Sequence, residues 1–380
     1  MIFNTPKLDD LELRVIVRID TLREHLSHQV RGTKRWTGLL RRVTLARHLR
    51  GSNSIEGYDV TAEDAIAALE GEEPLDAQQE TWNAILGYRD AMTYVLRLSD
   101  DPHFVHGNNL LRSLHFIMTK YDLTKNPGSW RPGAIYVRND EHGELVYEGP
   151  NAEAVPALVA ELVEWLVAGD LDSPAMVRAA MAHLNLVMIH PYSDGNGRMA
   201  RCLQTLVLAR ERILEPAFCS IEEYLGANTP AYYQVLAEVG GGKWQPHRDA
   251  RPWVRFVLTG HYRQAATLLR RIRENSRIWD GLESKLKRMR MPERMMCALH
   301  DACHGYRVRN ASYRTAAEVS EHTASRDLAA LVERGLIVAH GEKRGRYYVA
   351  SKELAQLRER TREPKAVADP FENPNDDAAT

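Results

Sequence analysis

Apolar side chains recur three and four positions apart along most of the chain, the spacing that lines one face of a helix. Ala154 to Val167 places Val155, Leu158, Val159, Leu162, Val163 and Leu166 on one side. Met176, Val177, Ala180, Leu184, Val187 and Met188 repeat the pattern up to Ile189, after Asp172-Ser173-Pro174 offers a capping residue and a proline suited to a first helical position. Thr61, ahead of Glu63 and Asp64, marks a further helix start, since its hydroxyl can cap and acids favour the positive end of the helix dipole. Val254 to Arg273 is helical in pattern, and a break is expected near residues 275–292, where Pro292 restarts the chain. One stretch differs. Across Gly133 to Tyr147, two β-prone runs flank a polar turn with Asp140 and Gly143, which predicts a β-hairpin set between helices. From 292 to 350 the pattern predicts three helices, the last stopped by Gly335, then two short strands at Ile337-Val338-Ala339 and Arg346-Tyr347-Tyr348-Val349. The expected fold class is mainly α.

A length of 380 residues suggests two or three domains, and a hydrophobic content of 44% is enough to give each a core. With 50 Lys plus Arg against 51 Asp plus Glu, the chain is neither a uniformly basic nucleic-acid coat nor an acidic tail protein. The charge is nonetheless segregated: residues 285–350 hold 13 Lys plus Arg against 7 Asp plus Glu, an excess of six positive charges. Cys202, Cys219, Cys297 and Cys303 form no C-x-x-C pair, against both a disulfide framework and a zinc ribbon. The N-terminus carries Asp9-Asp10 in place of a basic leader, and no run approaches the roughly 18 apolar residues of a membrane span. The expectation is a soluble, cytoplasmic protein with no membrane partner. Expected divisions are an N-terminal helical region over 1–100, a core over 101–275, a basic module over 285–350 and a flexible polar tail over 351–380, which holds Pro364, Pro370 and Pro374.

Chemistry concentrates after Ile189. His190 ends the predicted helix, Pro191 breaks it, and Tyr192-Ser193-Asp194-Gly195-Asn196-Gly197 leads into Arg198 before Met199, Leu203, Leu206 and Val207 resume an apolar helical face. A Gly-rich loop at a helix N-terminus presents unpaired N–H groups and the positive dipole end, so it suits an anion. Arg198 and Arg201 share a face, and guanidinium groups match phosphate oxygens. Asp194 offers a hard oxygen to a divalent cation, and His190 is the proton acceptor beside them. The residues alone read as a polyphosphate-and-metal cradle with a base at its lip, or as a plain turn beside a histidine that closes a helix.

The whole string, His190-Pro191-Tyr192-Ser193-Asp194-Gly195-Asn196-Gly197-Arg198-Met199-Ala200-Arg201, resembles the signature of the Fic family, H-x-F-x-(D/E)-G-N-G-R-x-x-R. It departs at Tyr192, where the family usually has Phe; the swap keeps an aromatic anchor and adds a hydroxyl that needs a partner. The resemblance implies a helical Fic-fold bundle and a protein adenylyltransferase that moves AMP from ATP to a Ser, Thr or Tyr hydroxyl of a target protein, itself included. It implies His190 as base, Asp194 as Mg²⁺ ligand, Gly195, Asn196, Gly197 and Arg198 at the α- and β-phosphates, and Arg201 at the γ-phosphate. The hairpin at 133–147 is similar to the family's flap, which aligns the target by main-chain pairing, with Val137 and Arg138 on its first strand beside the nucleotide; the alternative is a purely structural hairpin. Asn228 stands where the family often has a nucleotide-contacting Asn, and could equally cap the next helix.

Upstream, Ser52-Asn53-Ser54-Ile55-Glu56-Gly57 resembles the inhibitory motif (S/T)-x-x-x-E-(G/N) of one class of Fic proteins. Glu56 paired with Arg201 would take the guanidinium that the γ-phosphate needs. The alternative is an ordinary helix end stopped by Gly57. Ser320 to Glu333, with the strands after it, resembles a winged helix-turn-helix with Lys343 and Arg344 on the wing, so DNA is an expected partner through 285–350, against a protein-contact role suggested by Asp327 and Glu333. A homodimer is also among the expected partners. Two rival functions remain: a hydrolase that removes AMP from a modified protein, with Glu56 orienting water, and a nucleotide-sensing DNA-binding regulator without transferase activity.

Overall fold

A computed structural model describes residues 1–31, 36–138, 143–212, 214, 216–342 and 345–372. Among them the helices are α1 (Asp10–Arg31), α2 (Thr37–Ser54), α3 (Ala62–Glu70), α4 (Gln79–Ser99), α5 (Asn108–Thr119), α6 (Val155–Ala168), α7 (Ala175–Ile189), α8 (Asn196–Arg210), α9 (Pro216–Cys219), α10 (Glu222–Ala227), α11 (Thr229–Gly240), α12 (Arg251–Met289), α13 (Met296–Cys303), α14 (Asn310–Ala317), α15 (Glu321–Glu333) and α16 (Lys352–Thr361). The strands pair as two antiparallel hairpins, β1 (Tyr136–Arg138) with β2 (Leu145–Glu148) and β3 (Ile337–His340) with β4 (Tyr347–Ala350). The chain is mainly α, as its periodicity predicts.

Local chemistry sets several boundaries. Thr61 caps α3 by accepting from the Asp64 N–H at 3.1 Å, and Ser320 caps α15 through the Thr323 N–H. At α7 the expected cap is displaced: Pro174 occupies the N-cap with no side-chain bond, and the Ser173 N–H turns back to the Asp170 carbonyl. α7 is mostly apolar, and α8 is buried on nearly every side although it carries Asn196, Arg198, Arg201, Gln204 and Thr205, so the pair forms a centre against which α4, α6 and α12 pack. α2 crosses α10 unusually closely. A Cβ on Gly51 would lie 2.5 Å from the Glu222 carbonyl oxygen, and one on Gly226 would lie 2.6 Å from Gly51 Cα, so this crossing admits only glycine on both sides.

One hydrophobic cluster runs from Ile2 to Ile272 and includes Tyr306, so residues 1–100 share their core with 101–275. A second cluster draws on Ile278 to Leu354. The expected break at 275–292 falls at the far end of that span: α12 continues through 275 to 289 because Ile278, Leu282 and Leu286 extend its apolar face into the second cluster, and the helix stops at Arg290, in the left-handed region, before Pro292 restarts the chain. The tail also departs from expectation. Residues 352–361 form α16, capped by Ser351 and anchored by buried Leu354, while Glu363 pairs with Arg273 and Arg277 and the Pro370 carbonyl accepts from Arg18. Leucines at 354 and 357, spaced for a helix face, outweigh the polar composition around them.

The order helix, helix, helix, strand, strand over 296–350 matches the sequence pattern. Lys343 and Arg344 lie outside the described residues, as do 139–142 at the tip of the first hairpin. Asp327 does not face outward. It is buried, with Arg294 Nε 2.6 Å from one oxygen and the Tyr313 hydroxyl donating to the same atom. Much of the positive charge of 285–350 is used internally: Arg309 pairs with Glu72, Arg307 with Asp76 at 3.0 Å, and Lys285 with Glu353.

Candidate active site

His190 ends α7 in the left-handed region, φ 51°, which turns the chain sharply into the loop before α8. Its Nδ1 lies 3.0 Å from the Val187 carbonyl, an acceptor, so Nδ1 carries the proton and Nε2 keeps a lone pair. Burial pushes its imidazolium down to about 4, leaving a neutral base. Arg131 fixes the base from behind: its Nε donates to the His190 carbonyl at 2.8 Å, and its Nη groups donate to the Gly133 and Pro150 carbonyls at the roots of the first hairpin.

The loop is held by its own side chains. Asn196 accepts from the Tyr192 N–H and donates to the Tyr192 carbonyl, both at 2.9 Å, so its side chain braces the turn and its backbone N–H belongs to the first turn of α8. Tyr192 stacks on His115, ring centroids 3.8 Å apart, and the hydroxyl that needed a partner has none among the described residues. His115 accepts from the Gly128 N–H at Nδ1, so its Nε2 carries the proton and donates to the Asp194 carbonyl at 3.0 Å. Gly195 takes φ 76°, the left-handed geometry that opens the N-terminus of α8 to an anion.

Both arginines of the cradle are buried. Arg198 has no hydrogen-bond partner for any of its three guanidinium nitrogens among the described residues; it lies over the Tyr58 ring and 3.6 Å from Asp194. A buried guanidinium with idle donors fits an arriving phosphate. Arg201 is instead engaged by the end of α2: Nε donates to Ser52 Oγ at 2.7 Å, and Nη2 donates to the Ser52 carbonyl at 2.9 Å and to Glu56 Oε1 at 2.7 Å. The Glu56 carboxylate also reaches over the start of α8, where a Cβ on Gly197 would meet Glu56 Oε1 at 2.2 Å. The 52–57 segment is therefore a helix end, with Gly57 at φ 79°, and an Arg201 clamp at once.

Asp194 is part-exposed and offers one carboxylate to the cradle, where Lys125 Nζ lies 3.0 Å from its Oδ2. Arg198 and Lys125 outweigh burial and hold its carboxyl below the usual range. Among the described residues no group of three His, Cys, Asp or Glu side chains gathers to hold a metal alone. A single hard oxygen beside an anion cradle suits Mg²⁺ that is bound jointly with a polyphosphate, the usual manner of that ion.

The first hairpin stands beside the base: a Cβ on Gly149, just past β2, would lie 3.9 Å from His190 Cβ. Tyr147 donates to the Met188 carbonyl at 2.8 Å and so ties β2 to α7. Val137 and Arg138 lie on β1 across a bulge, paired with Tyr147 and Leu145, and Arg138 donates to the Gly143 carbonyl. Asn228 sits between α10 and α11 and donates to the Tyr224 carbonyl at 2.8 Å, a helix-end role. Sequence reasoning missed Lys125, Tyr58, Arg131 and Tyr233, whose hydroxyl donates to the Ile55 carbonyl next to Glu56. All four lie outside the two motifs, and only their contacts reveal them.

Residues 108–208 match the Fic/DOC family, so the chain carries a Fic domain whose span includes the cradle. Its fold is that of a Fic family protein from Desulfovibrio desulfuricans G20, with a TM-score of 0.57 at 21% identity, covering 92% of this chain and 98% of the other. Fic-1 (residues 134–508) from C. elegans superposes with a TM-score of 0.52 at 22% identity over 68% of this chain and 72% of that one. In sequence the chain is 26% identical over 258 residues to protein adenylyltransferase fic-1 of Caenorhabditis briggsae, which is 66% of this chain and 46% of the relative. It is 29% identical over 256 residues to protein adenylyltransferase Fic of Culex quinquefasciatus, again 66% of this chain and 46% of the relative. The chain spans about half the length of the curated relatives it matches.

Proposed function

We propose that the protein is a protein adenylyltransferase that moves AMP from ATP to a hydroxyl of a target protein and is restrained by Glu56. The observation that carries the reading is a neutral His190 that holds its proton on Nδ1, leaving the Nε2 lone pair to accept one, at the mouth of a cradle whose buried Arg198 guanidinium has no hydrogen-bond partner among the described residues. His190 Nε2 takes the proton of the target hydroxyl as that oxygen bonds to the α-phosphorus; the bond from the α-phosphorus to the bridging oxygen breaks, and pyrophosphate leaves. The N–H groups of Asn196 and Gly197 with Arg198 hold the α- and β-phosphates, and Arg201, once free of Glu56, holds the γ-phosphate. Mg²⁺ on Asp194 would neutralise charge developing on the phosphates. The open edge of β1 is suited to align a target segment beside His190 by main-chain pairing.

The test is mass spectrometry of the purified chain after incubation with ATP and Mg²⁺. Glu56→Gly should acquire one AMP mass on itself, and Glu56→Gly with His190→Ala should not. If Glu56→Gly gains no AMP with or without added protein substrates, the reading is wrong; loss of AMP from a modified protein added to wild type would favour the hydrolase.

DNA binding through 285–350 as a winged helix-turn-helix is a second proposal, favoured by the inward turn of Asp327. That turn leaves His322, Ser325 and Arg326 on the exposed face of α15. With Arg307 engaged by Asp76 and Arg309 by Glu72, the outward cations are fewer than the composition suggests, and Arg326→Glu should abolish a low-salt gel shift. No shift by wild type at low salt would assign the module to protein contacts.

A further inference from the structure

We propose that Lys125 is a second latch on this site: its ammonium stands on the metal's oxygen of Asp194 and is tethered through Tyr58 to the segment that carries Glu56. The resting chain thereby guards the metal carboxylate as well as the arginine. The inference rests on the adenylyl-transfer reading only for the role of Asp194.

An ammonium has three donors, and here each has an acceptor. Lys125, at the end of the 3₁₀ turn Leu123–Lys125, has its Nζ 2.8 Å from the Tyr58 hydroxyl, 3.0 Å from the Tyr121 hydroxyl and 3.0 Å from Asp194 Oδ2. Nζ also lies over both tyrosine rings, 5.4 Å and 5.0 Å from their centroids, and its side chain is only 13% exposed. This geometry is closed and leaves the cation no easy alternative partner. Asp194 Oδ2 is the oxygen nearest the second cation too, Arg198 at 3.6 Å. A divalent ion would sit about 2.1 Å from the oxygen that Lys125 Nζ contacts at 3.0 Å, and two cations so close to one atom repel, an electrostatic exclusion that the ammonium exerts at Asp194.

Tyr58 makes this exclusion a linkage. It lies two residues beyond Glu56, and its N–H donates to the Asn53 carbonyl at 3.1 Å, within the same turn that sets Ser52 and Glu56 on Arg201. The Tyr58 ring also lies under the Arg198 guanidinium, 5.0 Å from its centroid. When the segment withdraws from Arg201, Tyr58 leaves with it, and Lys125 loses one of its three acceptors. Metal binding at Asp194 and docking of the segment therefore oppose each other, and by reciprocity each weakens the other to the same degree.

The experiment is calorimetric titration of ADP with and without Mn²⁺ into wild type, Lys125→Met and Tyr58→Phe, repeated with Asp194→Asn added to each. Tyr58→Phe keeps the ring and removes only the hydroxyl, so it stays informative even if Lys125→Met loses structure. The gain in ADP affinity from Mn²⁺ should be about tenfold larger in both variants than in wild type, within the usual range of site–site coupling, and Asp194→Asn should remove it. An equal gain in all three proteins, or one that survives Asp194→Asn, overturns the latch. The adenylyl-transfer reading fails separately: Glu56→Gly would then transfer no AMP while the Mn²⁺ gain still responds to Lys125.

Discussion

A base with an imidazolium pushed down to about 4 is neutral throughout the range in which such a protein is assayed. Transfer by Glu56→Gly should therefore be flat from about pH 8 down to about pH 5.5 and fall only as pH approaches 4, because protonation of Nε2 removes the acceptor. A limb in the pH–rate profile near the ordinary histidine value of 6.5 would mean that His190 is solvated and not held as its contacts indicate. Tyr192 permits a test of stability at the same scale. Its buried hydroxyl has no partner among the described residues, and an unsatisfied buried polar group costs about 1–3 kcal/mol. Tyr192→Phe should raise the melting temperature while leaving the His115 stack intact; a lower melting temperature would reveal a hydrogen bond to water at that hydroxyl.

On the proposed reading the element that would set the resting state is α2, and its position depends on backbone contact as well as on the Glu56 carboxylate. Gly51 meets α10 with no room for a methyl group. Gly51→Ala should lift the end of α2 off Arg201 and produce AMP transfer without touching Glu56, at a cost of roughly 1–3 kcal/mol in stability for overpacking. Self-modification by mass spectrometry and thermal melting would check both; a destabilised but inactive Gly51→Ala would show that the clamp survives without the close crossing. This level explains what the sequence made legible. The string from His190 to Arg201 was readable because a phosphate cradle needs glycines, a cap and cations at fixed spacing, and Glu56 was readable because its spacing from Ser52 is local. Lys125 reaches Asp194 across 69 positions of sequence, and Gly51 reaches Gly226 across still more, so no local pattern announces either. Charge along 285–350 was legible as a sum, but its partners in 72–76 were not, and the sum alone overstated the cations left for DNA.

Across the whole molecule, four fully buried histidines share one electrostatic liability. Burial pushes His48 and His115 down to about 4 and His183 and His261 down to about 3. Their folded values lie below the unfolded value near 6.5, so the unfolded chain takes up protons first as pH falls. Stability from these groups is complete above about pH 6.5 and is lost as pH falls towards the folded values, about 4 for His48 and His115 and about 3 for His183 and His261. Melting temperatures at pH 7.5, 6 and 5 should fall with increasing steepness; a level trend would place these rings in contact with water.

The helix α12 carries a mechanical implication. Its 39 residues make a shaft about 60 Å long, with the main cluster seated on its first two-thirds and the second cluster on its last turns. Neither body can melt without freeing one end of the same rod, and ion pairs from Arg42 to Asp301 and from Arg309 to Glu72 bridge the bodies alongside it. Calorimetry should show one endotherm, and a chain cut at residue 275 should yield two pieces that each lack a wall. Torque applied to the C-terminal hairpin by a bound partner would then be delivered through Arg42 to α2, the helix whose last turn grips Arg201.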